Sequence, residues 1–306
     1  MYKILVVAAP KKFEGHIKII QDNAIKSWAI LFGAENVCLF GDEETRLNAE
    51  RLGTRYAKPE YSDTNVPLLD SILRESKKFE TDYILFINSD IILMDDFKNA
   101  FLLLRKISKK PFMMVGRRTN LDLSTPLDFV SDWQEKLHSL ANRNGILAEV
   151  ELIDYFLFPG DRFQAIPPLR IGRPGVDNIL LYWARKRERL DLIDATADVQ
   201  VVHQNHDYSY FPGGKPAIYS GKDKDINLEL GGGTYRNYFF ISESNLYLDG
   251  GTLKRKHGLS YYLTRRYVFD ILPVMHPVLY RIVVPIHFIL SKTKKILKRI
   301  LPDSIH

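Results

Sequence analysis

Three groups of side chains in this 306-residue sequence have the types and spacing for chemistry on a charged, oxygen-rich substrate. The first is Asn88-Ser89-Asp90, set between the apolar run Tyr83-Ile84-Leu85-Phe86-Ile87 and a second run, Ile91-Ile92-Leu93. A carboxylate between two greasy runs is costly to bury unless something pairs with it. A hard divalent cation is a natural partner for oxygen ligands, and such a cation usually also touches phosphate. The second group is Gly175-Val176-Asp177-Asn178, just before the helical run Ile179–Arg187. The third runs from His203 to His206 at the end of Val199-Gln200-Val201-Val202. Neutral imidazole is a common metal ligand and a proton carrier near neutral pH. Each group also has a plainer reading. Asp90 could cap a turn, Asp177 could N-cap the helix after it, and the histidines could be ordinary loop residues.

The flanking patterns say what must hold these groups. Residues 3–8 read as a first strand, and Ile17, Ile20, Ala24, Trp28 and Leu31 fall at helical spacing up to Gly33. Val37–Phe40 reads as strand two, Glu43–Leu52 as a helix stopped by Gly53, and a helix with Pro67 in its first turn follows. Residues 83–87 are apolar without a break, the mark of a strand buried on both faces. Asp96–Ser108 reads as helix and Phe112–Gly116 as a strand delivering Arg117 and Arg118. Residues 119–132 read as loop and Trp133–Leu140 as helix. Ile153–Phe158 reads as a strand carrying Asp154, and 211–235 as a flexible, glycine-rich loop. Alternating β and α elements predict an α/β domain with a mainly parallel sheet, and such sheets place ligands at the carboxyl ends of their strands.

The net charge of +6 is unevenly spread. Residues 254–306 carry eleven Lys/Arg against two acids, a net +9, which leaves residues 1–253 at −3. A nucleic-acid-binding body is therefore not expected; the basic character belongs to an appendage. The one cysteine, Cys38, rules out an internal disulfide and fits a reducing compartment. Tyr267–Leu290 is apolar but broken by Asp270, Pro273, Pro277, Arg281 and Pro285, which speaks against a spanning helix. Short apolar pieces flanked by Lys/Arg fit a segment lying on an anionic membrane surface; a helical lid on the body is the alternative.

The order of these features resembles the GT-A-fold glycosyltransferases, and most closely the family-2-like bacterial enzymes of surface polysaccharide synthesis. The resemblance rests on strand one with Pro10, Gly41-Asp42 after strand two, Asp70 on a helix, the degenerate DxD at Asn88-Ser89-Asp90, the Asp177 motif and a late His. It covers roughly residues 3–210. It implies a Rossmann-like three-layer α/β sandwich with a mainly parallel central sheet over 1–253, plus a basic helical tail over 254–306. It also implies transfer of a sugar from a nucleotide-sugar donor to the hydroxyl of a glycan or lipid-linked acceptor. Carried over residue by residue, Ala8 and Pro10 would line the nucleotide pocket, and Asp42 and Asp70 would meet base or ribose. Asn88, Ser89 and Arg118 would face the donor diphosphate. Asp90, with His203 or His206, would hold Mg2+ or Mn2+. Asp177 would be the general base of an inverting transfer, kept ionised by its helix N-terminus, and Asp154 would bind the acceptor.

Two departures from that pattern matter. Asn88 stands where a stronger motif has Asp, which removes one charge, and Val176-Asp177 leaves one carboxylate where a pair is usual. They keep open a non-catalytic glycan-binding or membrane scaffold. A sugar nucleotidyltransferase would need a Gly-rich, Arg-containing loop after strand one, whereas this chain has Ala8-Ala9-Pro10-Lys11-Lys12. The expected location is cytoplasmic, peripheral at the inner face of the cell membrane.

Overall fold

The computed structural model describes residues 2–207, 221–256, 276–282 and 284–285. In chain order these form β1 (Ile4–Ala8), α1 (Gly15–Phe32), β2 (Val37–Phe40), α2 (Glu43–Leu52), β3 (Arg55–Ala57), α3 (Leu69–Ser76), β4 (Tyr83–Ile87) and β5 (Ile91–Ile92). Then come α4 (Asp95–Ile107), β6 (Phe112–Val115), β7 (Arg118–Leu121), α5 (Trp133–Asn144), β8 (Ile146–Leu147), β9 (Tyr155–Pro159) and α6 (Val176–Lys186). The last are β10 (Asp191–Asp194), β11 (Val201–Gln204), α7 (Lys222–Leu230), β12 (Leu246–Asp249) and β13 (Thr252–Arg255).

Nine strands form the main sheet, in the order β13-β12-β10-β6-β9-β4-β1-β2-β3. Five of its eight pairings are parallel, so the expected mainly parallel α/β sheet is what the chain builds, with the 83–87 strand inside it. Alternation along the strands explains the layers. From β1 and β4, Ile4, Val6 and Leu85 face one core, with Trp28 and Leu31 of α1 and Phe97, Phe101 and Leu104 of α4. Leu5, Val7, Ile84 and Phe86 face the other, with Ile72 of α3 and Ile179 and Leu180 of α6. Burying each such side chain contributes about 1.5–3 kcal/mol, and a strand apolar at every position is stabilised from both sides.

The exception to parallel order positions the site. β9 runs antiparallel between β4 and β6, with Ile87 opposite Tyr155. The start of β9 therefore lies at the carboxyl end of β4, which puts Asp154 beside Asn88. A second sheet, β5-β11-β7-β8, stands at the same edge. In it β11 pairs antiparallel with β5, placing His203 opposite Ile91, and parallel with β7, placing Val201 opposite Arg118.

Several elements differ from the sequence expectation. Pro67 is not in a helix: it bridges Tyr61 in extended chain, and α3 starts at Leu69. Leu68, just before the helix, likewise forms an isolated bridge with Arg170. The loop expected over 119–132 begins as strand β7, because Arg118–Leu121 has a partner on each side. The loop expected over 211–235 contains α7; Asn227 on it is fully buried, so its polar composition marks internal hydrogen bonding. The short strands β3, β10, β12 and β13 carry no strong apolar run and were not anticipated. The chain divides into two units, Met1–Arg255 and Lys256–His306. Most of the basic apolar tail, including 267–275, 283 and 286–290, lies outside the described residues. No helix among the described residues is long and apolar enough to cross a membrane.

Candidate active site

At the end of β4, Asn88 is fixed twice to Asp154. Its backbone N–H donates to the Asp154 carbonyl at 2.9 Å, and its Nδ2 donates to Asp154 Oδ1 at 2.6 Å. Arg118 at the start of β7 donates from Nη1 to both Asp154 oxygens, at 2.9 and 2.8 Å. This ion pair is almost wholly buried, with side-chain exposures of 14% for Arg118 and 7% for Asp154. Breaking such a pair leaves an uncompensated charge, so the guanidinium is held firmly where it stands. Arg117 points elsewhere. Its Nε donates to the Ala148 carbonyl at 2.6 Å, and it lines a separate cavity of about 470 Å³ with Asp96, His138 and Gln200.

One residue past Ser89, three ligand types meet. One donor atom from each of Asp90, His203 and His206 lies within 4.8 Å of the others. His206 Nε2 is 3.2 Å and His203 Nε2 3.9 Å from Asp90 Oδ2. They converge because β11 presents His203 on one face and Gln204 on the other. Gln204 is fully buried; its Nε2 donates to the Ile20 carbonyl at 2.7 Å, and its Oε1 accepts from Asn23 Nδ2 at 2.9 Å. Lys11 joins the cluster, donating to Asp90 Oδ2 at 3.2 Å. Burial pushes the Asp90 carboxyl up, but Lys11, His206 and His203 outweigh it and hold the group well below the usual carboxylate range. Burial lowers His203 against the pull of Asp90, so its imidazole is neutral at neutral pH, the form that ligates metal.

Two buried atoms here have no hydrogen-bond partner among the described residues: Asp90 Oδ1 and His203 Nδ1. Buried polar atoms are normally satisfied. An orphaned carboxylate oxygen beside two imidazoles is therefore a donor set that fits a divalent cation, with Asp90, His203 and His206 as its ligands. The same edge opens into a cleft of about 900 Å³ lined by Lys12, His16, Asp122, Asn205 and His206 among others.

Asp177 sits in the first turn of α6 but is not its cap. The N-cap is Gly175, at φ +99°, where a Cβ would lie 2.2 Å from the Tyr238 hydroxyl oxygen; no side-chain cap is present. The expectation that the helix N-terminus keeps Asp177 ionised is corrected: burial first, then the charge of Asp154, push it up to about 8, against a smaller pull from Arg118. The dipole of one helix is worth at most about 2 kcal/mol, less than desolvation beside a second carboxylate. The loop leading to Asp177 is clamped from α7. Asn227 accepts from the Arg170 N–H at 2.8 Å and donates to the Arg170 and Pro174 carbonyls at 3.1 and 3.3 Å, and Asp223 pairs with Arg170 and Arg173.

The remaining expected residues are spread along the carboxyl edge of β1, β2 and α3. Ala8 is wholly buried in the core, so its side chain lines no open pocket; Ala9 and Pro10 are the partly exposed residues there. Ser89 is likewise turned inward, donating to Gln21 Oε1 at 2.9 Å, and is 5% exposed. Asp42 is exposed and caps α2 by accepting from the Thr45 N–H at 3.1 Å. Asp70 has one oxygen 3.6 Å from Arg74, while its buried Oδ1 has no hydrogen-bond partner among the described residues. Lys11 and Gln21 were not foreseen as site residues. A lysine in the loop directly after the first strand was the available signal for one; a glutamine on a helix gives none for the other.

No protein-family model matches the sequence, and no curated protein does either. Solved structures do match. Glucosyl-3-phosphoglycerate synthase from Mycobacterium tuberculosis, solved with Mn2+, UDP and phosphoglyceric acid, is 17% identical over 76% of this chain and 79% of its own, at a TM-score of 0.45. A cytidylyltransferase from Leptospira borgpetersenii is 12% identical over 65% of this chain and 78% of its own, at a TM-score of 0.40. These likenesses are loose, and the geometry of this chain carries the functional reading.

Proposed function

We propose that the protein is a metal-dependent GT-A-type glycosyltransferase that moves a sugar from a nucleotide-diphosphate donor to an acceptor hydroxyl. The observation that carries this is the meeting of Asp90, His203 and His206 at the end of a central strand, with the Asp154–Arg118 pair and Asp177 on the same edge. Asp90, His203 and His206 would hold Mg2+ or Mn2+, whose charge favours departure of the diphosphate. Arg118, locked on Asp154, adds a fixed positive charge near the leaving group. Asp154 serves this reading better as the anchor of Arg118 and Asn88 than as an acceptor ligand, because both its oxygens already accept. Asp70 and Asp42 would meet the base or ribose of the donor. Asp177 acts in its ionised form, whose share grows as pH rises toward 8: it takes the proton of the acceptor hydroxyl as that oxygen attacks from the side opposite the diphosphate, inverting the anomeric carbon.

Thermal shift with nucleoside diphosphates and Mn2+, followed by turnover of nucleotide-sugars, tests the reading, since a ligand that binds only the native state must stabilise it. Release of nucleoside diphosphate on sugar transfer supports it, with Asp177→Asn lowering turnover about 10²-fold or more at unchanged donor affinity. Release of pyrophosphate from a nucleoside triphosphate and a sugar phosphate would instead make it a nucleotidyltransferase. The basic tail is assigned to an anionic membrane surface, which suits a glycan or lipid-linked acceptor of surface polysaccharide synthesis. Deleting residues 264–306 should release the chain from anionic vesicles at low salt. Vesicle binding that survives the deletion removes the tail from that role.

A further inference from the structure

Lys11 stands where a cation is expected. Its ammonium donates to Asp90 Oδ2 at 3.2 Å and lies 3.1 Å from His206 Nε2, so it touches two of the three side chains that would hold a metal. Its place is set by the main chain. The Lys11 N–H donates to Gln21 Oε1 at 2.7 Å, and Gln21 Nε2 donates back to the Lys11 carbonyl at 3.0 Å. The same Oε1 accepts from Ser89 Oγ at 2.9 Å, and Gln21 is 1% exposed. One buried amide on α1 thus ties the backbone of Lys11 to the residue preceding Asp90.

A divalent ion on His206 Nε2 needs the one lone pair that faces the ammonium, and an ion held by either Asp90 oxygen shares that carboxylate with it. It would also meet a like charge at hydrogen-bond distance, in a buried place where charges are poorly screened. We infer that Lys11 is the resident counter-charge of the Asp90 cluster. Its ammonium and the divalent ion hold the cluster in turn, and metal entry requires the ammonium to leave. This rests on the reading of Asp90, His203 and His206 as metal ligands. Lys11 is then a positioning residue: it balances the charge of the buried carboxylate before the metal arrives, and it sets how readily the protein takes metal.

The test is Mn2+ binding to the full-length chain without nucleotide, followed by the electron paramagnetic resonance signal of free Mn2+. Lys11→Met should bind Mn2+ about 10-fold or more tighter than the parent, because no ammonium has to be displaced. Lys12→Met removes the same charge from an exposed neighbour and should change affinity by no more than about 3-fold. The Gln21 tether uses main-chain atoms, so Lys11→Met keeps the loop; coincident unfolding curves verify this. Equal or weaker Mn2+ binding in Lys11→Met, with binding still abolished by Asp90→Asn, overturns the role of Lys11 and leaves the metal reading standing. Equal gains in Lys11→Met and Lys12→Met also overturn it, since the effect is then one of general charge. No Asp90-dependent Mn2+ binding in any variant overturns both readings.

Discussion

Replacing Asp177 by Asn should make the metal-free protein more stable at high pH, and the size of the gain follows from where the carboxyl sits. Asp177 is pushed from an ordinary 3.8 up to about 8 by burial and by Asp154. A group with a raised folded pKa keeps its proton longer in the native state than in the unfolded chain. Its contribution is complete below about pH 4 and is lost as pH climbs toward 8. A shift of about four units corresponds to an upper bound of roughly 5–6 kcal/mol. Asp177 is partly exposed, so solvent relaxes that penalty, and about 2–3 kcal/mol is expected. For a domain of this size each kcal/mol moves the melting temperature by about 2–4 °C. Between about pH 4 and pH 9 the parent should therefore lose roughly 4–12 °C relative to Asp177→Asn. Calorimetric scans in chelator at several pH values give the difference curve directly, and other titrating groups cancel in it. Parallel curves, with a difference that does not grow with pH, would refute the argument that Asp177 is protonated in the resting protein.

Three further outcomes follow from the same geometry. Saturating Mn2+, at about 100 times its dissociation constant, should stabilise the parent by about 2.7 kcal/mol. Asp90→Asn should abolish that shift in differential scanning fluorimetry, and a shift that survives would take Asp90 out of the metal site. Arg118→Met strips the cation from a carboxylate that is 7% exposed, so urea titration should show a loss of about 3–5 kcal/mol. Weakened binding of nucleoside diphosphate should accompany it, whereas unchanged nucleotide affinity in the folded fraction would confine Arg118 to a structural role. Asp223→Ala leaves Arg170 with Asp63 alone, and should cost about 2–4 kcal/mol by chemical denaturation, with a fall in turnover as the 170–175 loop loosens. Full turnover at reduced stability would separate that clamp from the placement of Asp177.

The fold was legible where burial is two-sided. β1, β2, β4 and β6 are apolar at nearly every position, and a helix capped by Asp42 and closed by Gly53 announces both its ends. What the sequence could not show was direction. Nothing in Tyr155–Pro159 distinguishes an antiparallel strand from a parallel one, yet its reversal is what brings Asp154 to Asn88. Short edge strands such as β3 and β13 are only partly buried and carry no periodic signal. Asp177 stands out by its place before a helix, but its protonation follows from burial and then from Asp154, a residue 23 positions earlier in the chain. Neither the burial nor that pair is visible in the local sequence.

The site's polar frame was hidden for a related reason. Gln21, Asn23 and Ser27 look like the solvent face of α1, yet all three are buried. Gln21 binds Ser89 and the Lys11 backbone, Asn23 binds Gln204, and Ser27 Oγ accepts from the Leu93 N–H at 3.2 Å. Trp28 completes the row, its indole N–H donating to the Ile91 carbonyl at 2.9 Å. One helix face thus stitches the three segments that carry Lys11, Asp90 and His203. The bonds to the Ile91 carbonyl and the Leu93 N–H satisfy backbone groups in and just after β5, which is only two residues long. The interruption of β4 after Ile87 that places the buried Asp90 at a strand end is the same interruption that creates this demand. The carboxylate at this strand end therefore stands beside a polar helix face. In this chain that face is the helix after strand one, which also begins just past Lys11.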